Sequence, residues 1–250
     1  MARQARISLG HELHLVAQRG HGLAPAFHDD EDAARYIVDL REACRQHQVL
    51  LHAYALTSGQ ALLLLTPPNG LALGRAMQTL GRRYVAWHNQ RHQRRGTPWE
   101  GRFRSALVEQ PAEVLSVLRY VEAAGGLLTS PDMSDRSVDP LWSSLDHHLG
   151  RQSNPAVSSH AAFWFLGNTP FEREAAYKQW CDQGPTDREL RRIEAALQAG
   201  RPLGGPEFEQ RIAQQLARPV AARPRGRPRK PALSTELAQF GTKLDHSVPK

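Results

Sequence analysis

The chain has 250 residues, enough for one sizeable core with an appendage or for two small domains. Its 32 Lys and Arg against 25 Asp and Glu leave a formal net charge of +7, a balance that favours a polyanionic partner, nucleic acid being the commonest soluble one. Cys44 and Cys181 stand in no paired-ligand spacing, which argues against a disulfide framework or a zinc knuckle. Residues 1–10 hold no signal-peptide core and no apolar run is long enough to span a bilayer, so a soluble, cytoplasmic protein without membrane contact is expected.

Hydrophobic periodicity predicts a strand over 12–18 and a helix over 29–46, whose stripe is Ala33, Tyr36, Ile37, Leu40 and Cys44 behind an acidic first turn. Two apolar runs, 49–56 and 61–66, flank Thr57-Ser58-Gly59 and read as a hairpin. Leu73, Met77, Leu80, Tyr84 and Trp87 predict a helix ending near Asn89, residues 103–110 a fourth strand, and Pro111 the opening of a helix lined by Val114, Val117, Leu118 and Val121. That order predicts an α+β, ferredoxin-like sandwich, an antiparallel sheet with packed helices and one helix more than the minimal pattern.

Residues 125–154, broken by Pro131 and Pro140, read as irregular, and helices are expected over 161–180, 186–199 and 205–216. From Arg218 the chain turns rich in Arg and Pro and poor in acid, the composition of a disordered basic tail. The expected organisation is a DNA-binding domain over 1–150, a small helical region over 151–217 and the tail over 218–250.

The densest basic stretch carries Arg75, Arg82, Arg83, Arg91, Arg94, Arg95, Arg102 and Arg104 against Glu100 alone, with Trp99 among the interleaved aromatic residues. Guanidinium forks clamp phosphates and exposed rings stack on unpaired bases, so these residues are the candidate contacts to a nucleic-acid strand with single-stranded character. In the tail, Arg225, Arg227 and Arg229 lie in a Pro-Arg-Gly-Arg-Pro-Arg-Lys run that resembles an AT-hook, a motif for the minor groove of A·T-rich duplex DNA. Histidine spacing offers little for a metal: His11 and His14 face opposite sides of a strand, His88 and His92 share a helix face among arginines, and His147 and His148 fit a surface.

Several separated runs resemble the REP-associated tyrosine transposases, single-strand DNA transposases with a His-hydrophobic-His metal motif. They include Gln18-Arg19-Gly20, Phe27-His28-Asp29-Asp30-Glu31-Asp32, Met77-Gln78-Thr79-Leu80-Gly81-Arg82-Arg83-Tyr84, Trp99-Glu100-Gly101-Arg102-Phe103-Arg104-Ser105, Arg119-Tyr120 and Trp142-Ser143-Ser144. The resemblance implies a ferredoxin-like core that handles hairpin DNA, with Tyr120 as the nucleophile of a phosphotyrosine intermediate and a divalent ion, Mg or Mn, on the scissile phosphate. The metal positions depart from the pattern, because Gln60 and Leu62 stand where the two histidines belong and Ala124 where a polar ligand follows the tyrosine. The expectation is therefore a DNA-binding relative with impaired catalysis and no bound cofactor. An active metal-dependent transposase and an RNA-binding protein on the same sandwich are the rival readings.

Overall fold

Strands form here where alternate side chains meet an apolar partner on each face of a sheet. The computed structural model describes residues 6–21, 25–124 and 142–220, and for residues 123 and 124 the backbone alone. Its strands are β1 (Leu13–Arg19), β2 (Leu50–Thr57), β3 (Gln60–Thr66), β4 (Arg104–Val108) and β5 (Trp142–Ser143). They pair antiparallel in the order β4-β1-β3-β2-β5. With α1 (Asp30–Gln46) between β1 and β2, and α2 (Ala72–Arg91) between β3 and β4, the first four strands have the ferredoxin-like arrangement. α3 (Val114–Ala124) is the extra helix.

Each helix end has a local cause. Asp29 accepts from the Glu31 and Asp32 N–H groups and caps α1, while Asn69 Oδ1 accepts from the N–H groups of Leu71 and Ala72 at the start of α2. α3 begins at Val114, not at Pro111, because residues 110–113 form a turn in which Glu113 N–H donates to Glu109 O and Val114 N–H to Pro111 O.

The sheet has a core on each side. Val16, Leu56, Ala61, Leu63 and Leu65 face α1 and α2, and Phe27, Tyr36, Tyr84 and Trp99 gather there. Leu15, Ala17, Ala55, Leu62 and Leu64 face α3 with Val117, Leu118, Tyr120 and Val121. A register shift between Leu51 and Ala53 places Leu51 and Ala53 on different faces and leaves His52 at the irregularity.

Beyond residue 141 the structure adds what periodicity missed. A two-residue strand has no alternation to read, yet β5 extends the sheet through Ala55↔Ser143 and Leu56↔Trp142, followed by the short helix α4 (Leu145–His148). The single helix expected over 161–180 is two, α5 (Ala161–Trp164) and α6 (Pro170–Asp182), because Thr169 and Glu172 form a capping box with Pro170 at the first position. α7 (Asp187–Ala199) repeats the box with Thr186 and Glu189 and stops at Gly200, whose φ of +64° needs no Cβ penalty. Tyr177, Ile193, Ala196 and Leu197 complete the α3-side core, so helices on both sides of residue 150 share one apolar cluster. α8 (Pro206–Gln215) closes a smaller cluster through Phe208 and Ile212. No helix among the described residues is long and apolar enough to cross a membrane. Residues 221–250, with the expected basic tail and its Arg225, Arg227 and Arg229, lie outside the described residues.

His52 ties β2 to the segment before α5: its Nδ1 lies 2.7 Å from Ser158 O and must donate, while Nε2 sits 2.9 Å from Thr66 Oγ1. Burial, with lesser effects of His160 and His148, lowers its pKa from 6.5 to about 4. Above pH 6.5 the group is neutral in both states and contributes no pH dependence; below it the unfolded chain takes up the proton first, so stability falls until about pH 4. At roughly 1.4 kcal/mol per pKa unit the loss is about 3 kcal/mol. Urea unfolding between pH 7 and pH 4 should show a correspondingly shallower decline in His52→Gln, and an unchanged decline would remove His52 from the cause.

Candidate nucleic-acid interface

The arginines divide by what they face. Arg75, Arg82, Arg83, Arg94, Arg95, Arg102 and Arg104 are exposed, and none forms an ion pair among the described residues. Arg91 does not belong with them. Its guanidinium contacts Asp29 at 2.7 Å, Glu31 at 2.9 Å and Asp32, so it neutralises the first turn of α1 and is not available as a phosphate contact. Trp99 is also corrected: only 5% exposed, its ring lies 5.8 Å from Phe27 and 6.0 Å from both Tyr36 and Tyr84, where no base can reach it. Interleaving with arginine in the sequence gave it the look of a stacking platform, whereas the fold uses it as core.

Two of the positions that the resemblance assigns to a metal, Gln60 and Leu62, lie two apart on β3, and the third, Ala124, ends α3. Register sets Ala17 opposite Leu62 on one side and Arg104 on the other, and Arg19 opposite Gln60. Directly paired residues project to one face, here the face covered by α3. Leu62 is 2% exposed and packed with Ala17, Ala55 and Tyr120, so the site is built of apolar carbon where an ion would need lone pairs. These residues do not fit a divalent metal. The Ala124 backbone ends α3, and its side chain lies outside the described atoms.

Tyr120 does face that row, but only 5% of it is exposed, and burial pushes its hydroxyl up to about 12, with Glu194 of α7 adding to the shift and Arg19 opposing it. A phenol so held is a poorer nucleophile at neutral pH than a free one. Arg19, whose charge reaches Tyr120, lines a polar cleft together with Ala17, Glu100, Gly101, Arg102 and Arg104. Glu100 N–H donates to Arg19 O at 2.9 Å, which holds the Arg102 loop against the end of β1. Arg19 is a residue that the composition of the 75–104 stretch does not reveal, since only strand register brings it to the other two.

The neighbours of Tyr120 in α3 are structural. Arg119, 2% exposed, donates to Trp180 O at 2.8 Å, contacts Glu189 at 3.3 Å and lies over the Trp180 ring, joining α3 to α6 and α7. Glu122 is fully buried and accepts from Ser144 Oγ, from His148 Nδ1 at 2.7 Å and from Tyr177 Oη at 2.7 Å. His148 is therefore an interior residue, correcting the surface position expected for it. The sequence showed Asp146 as its neighbour; the partner, 26 positions away, is set by tertiary packing.

No protein-family model matches the chain, and no curated protein matches it in sequence. Among solved structures, a REP-associated tyrosine transposase bound to a REP hairpin is 9% identical, with a TM-score of 0.47 over 65% of this chain and 93% of that one. A candidate transposase from Deinococcus radiodurans R1 is 20% identical, with a TM-score of 0.33 over 48% of this chain and 94% of that one. Likenesses this slight assign no role to any residue of this chain.

Trp99→Ala should lower stability in urea unfolding by about 3–5 kcal/mol, the cost of emptying a large aromatic site in a packed core. A loss below about 1 kcal/mol would show that the ring is not part of the core.

Proposed function

We propose that this chain is a DNA-binding relative of the REP-associated tyrosine transposases that recognises hairpin or single-stranded DNA and does not cleave it by the family's metal-dependent route. The observation that carries the reading is the cleft in which Arg19, Arg102 and Arg104 come together beside the Tyr120 row, where Leu62 leaves no place for an ion. Three guanidinium groups around one concave polar surface suit the phosphates of a strand lying along the sheet end, since each offers a planar fork of donors. Glu100 at the same rim disfavours phosphate on its own side and so restricts the strand's path. The motif runs that resemble the family supply the choice of DNA over other polyanions. Arg82, Arg83, Arg94 and Arg95, exposed on or just beyond α2, add positive charge outside the cleft and supply affinity without sequence preference.

Fluorescence anisotropy with a DNA hairpin carrying a single-stranded flank, a matched duplex and the RNA version tests the assignment. Arg19→Ala, Arg102→Ala and Arg104→Ala combined should weaken hairpin binding at least about tenfold and reduce the slope of log affinity against log salt by roughly 2–3, as loss of three phosphate contacts requires. An unchanged slope would remove the cleft from the interface, and tighter binding to the RNA hairpin would replace DNA with RNA as the partner.

The unmodified protein should form no covalent adduct with hairpin DNA in magnesium or manganese, read by denaturing gel. An adduct abolished by Tyr120→Phe would establish strand cleavage and overturn the non-cleaving assignment.

A further inference from the structure

On the face of the sheet opposite Tyr120, four side chains from distant parts of the chain meet. His28 precedes the α1 cap, Asp32 is the third residue of α1, His88 lies near the end of α2 and His92 caps it. Each offers one ligand atom, and those four atoms all lie within 4.8 Å of one another. His28 Nδ1 is 3.0 Å from Asp32 Oδ2, and His92 Nε2 is 2.9 Å and 3.0 Å from the two Asp32 oxygens. The His28 ring stacks on that of His92 at 4.0 Å between centroids, and the His88 ring lies 4.6 Å from His92 and 5.5 Å from His28.

His88 is the observation that hydrogen bonding does not explain. It is fully buried, and neither ring nitrogen has a hydrogen-bond partner among the described residues. Two buried unsatisfied nitrogens are costly, and an isolated imidazole in a core normally finds at least one acceptor. One of those two nitrogens would be satisfied by giving its lone pair to an ion shared with His28, Asp32 and His92.

We infer that His28, Asp32, His88 and His92 form a binding site for a borderline divalent transition metal of the zinc class, which staples the start of α1 to the end of α2. Three imidazoles and one carboxylate are the donor set that such an ion prefers, and four protein ligands make a closed, structural site in place of a catalytic one. Metal–nitrogen bonds of about 2.0 Å in tetrahedral geometry require ligand atoms roughly 3.3 Å apart, so the contacts to Asp32 need open by only a few tenths of an ångström. Each coordinating nitrogen gives its lone pair, with its proton left on the other ring nitrogen or released to solvent.

The arginines near His88 and His92 do not prevent this. Arg91 is surrounded by Asp29, Glu31 and Asp32, so the local charge is negative before a cation arrives, and an Asp32 oxygen that contacts Arg91 becomes an oriented carboxylate of the kind that supports metal sites. The site stands on the other sheet face from the cleft, and it is independent of the DNA-binding reading.

The test is a titration of the full chain, first stripped with a chelator, with cobalt(II) and then zinc. Cobalt should bind one equivalent with the intense visible bands of a four-coordinate ion, zinc should displace it, and zinc should raise the melting temperature. His88→Phe and His92→Gln, checked for folding by circular dichroism, should each weaken cobalt binding by more than about 100-fold, beyond what loss of an outer-shell partner causes. His11→Asn, at an exposed histidine elsewhere, should bind as the unmodified protein does. Nitrogen NMR of the histidine rings in the unmodified chain needs no variant, and zinc should shift the ring resonances of His28, His88 and His92 together. Absence of saturable binding, equal affinity in folded His88→Phe and His92→Gln, or zinc-induced shifts confined to other histidines would each overturn the site.

Discussion

The β1–β3 pairing, buried on both faces, is the constraint on which the rest of the molecule depends. Leu15, Ala17, Leu62 and Leu64 must meet α3 while Val16, Leu63 and Leu65 meet α1 and α2, so neither strand tolerates a slip of one residue without turning both cores outward. The same register fixes the geometry of the cleft. Because Ala17 pairs with both Leu62 and Arg104, and Arg19 with Gln60, apolar Leu62 and the cations Arg19 and Arg104 share one sheet end. The leucine at 62 is thus a packing choice: it contributes to the core under α3 that a polar side chain there would interrupt.

Charge in this protein is sorted by depth. Arg119 and Arg91 are held by acids and serve the architecture, one joining α3 to α6 and α7 and the other joining α2 to the start of α1. The remaining arginines of the 75–104 stretch are exposed and form no ion pair among the described residues, and a surface of that kind is stabilised by an approaching polyanion. Buried Glu122, bonded to Ser144, His148 and Tyr177, performs for the α3 side what Arg91 performs for the α1 side, linking segments that apolar contact alone leaves free to slide.

The two-sided core also places Tyr120 and the histidine cluster on opposite faces of the sheet. Events at one are separated from the other by the strand layer itself.

Sequence alone determined the elements with strong periodicity. The two long helices, the hairpin and the first four strands follow from apolar residues repeating at helical or strand spacing, and the ferredoxin-like order follows from their succession. It also determined that positions 60, 62 and 124 carry no histidine or asparagine. Tertiary structure decided the rest. β5 is too short to show alternation and exists because β2 offers it an edge, and the break between α5 and α6 lies in a capping box that an apolar stripe conceals. Whether an aromatic ring in a basic stretch stacks on a ligand or fills the core, as Trp99 does, depends on what covers it. Whether an arginine is free, as Arg102 is, or held, as Arg91 is, depends on acids some 60 positions away. Arg19 joins Arg102 and Arg104, and His28 and Asp32 join His88 and His92, only when strand register and helix packing close the distance. Local spacing records which side chains a segment presents; the partners that give those side chains a charge state, a burial and a role come from elsewhere in the chain.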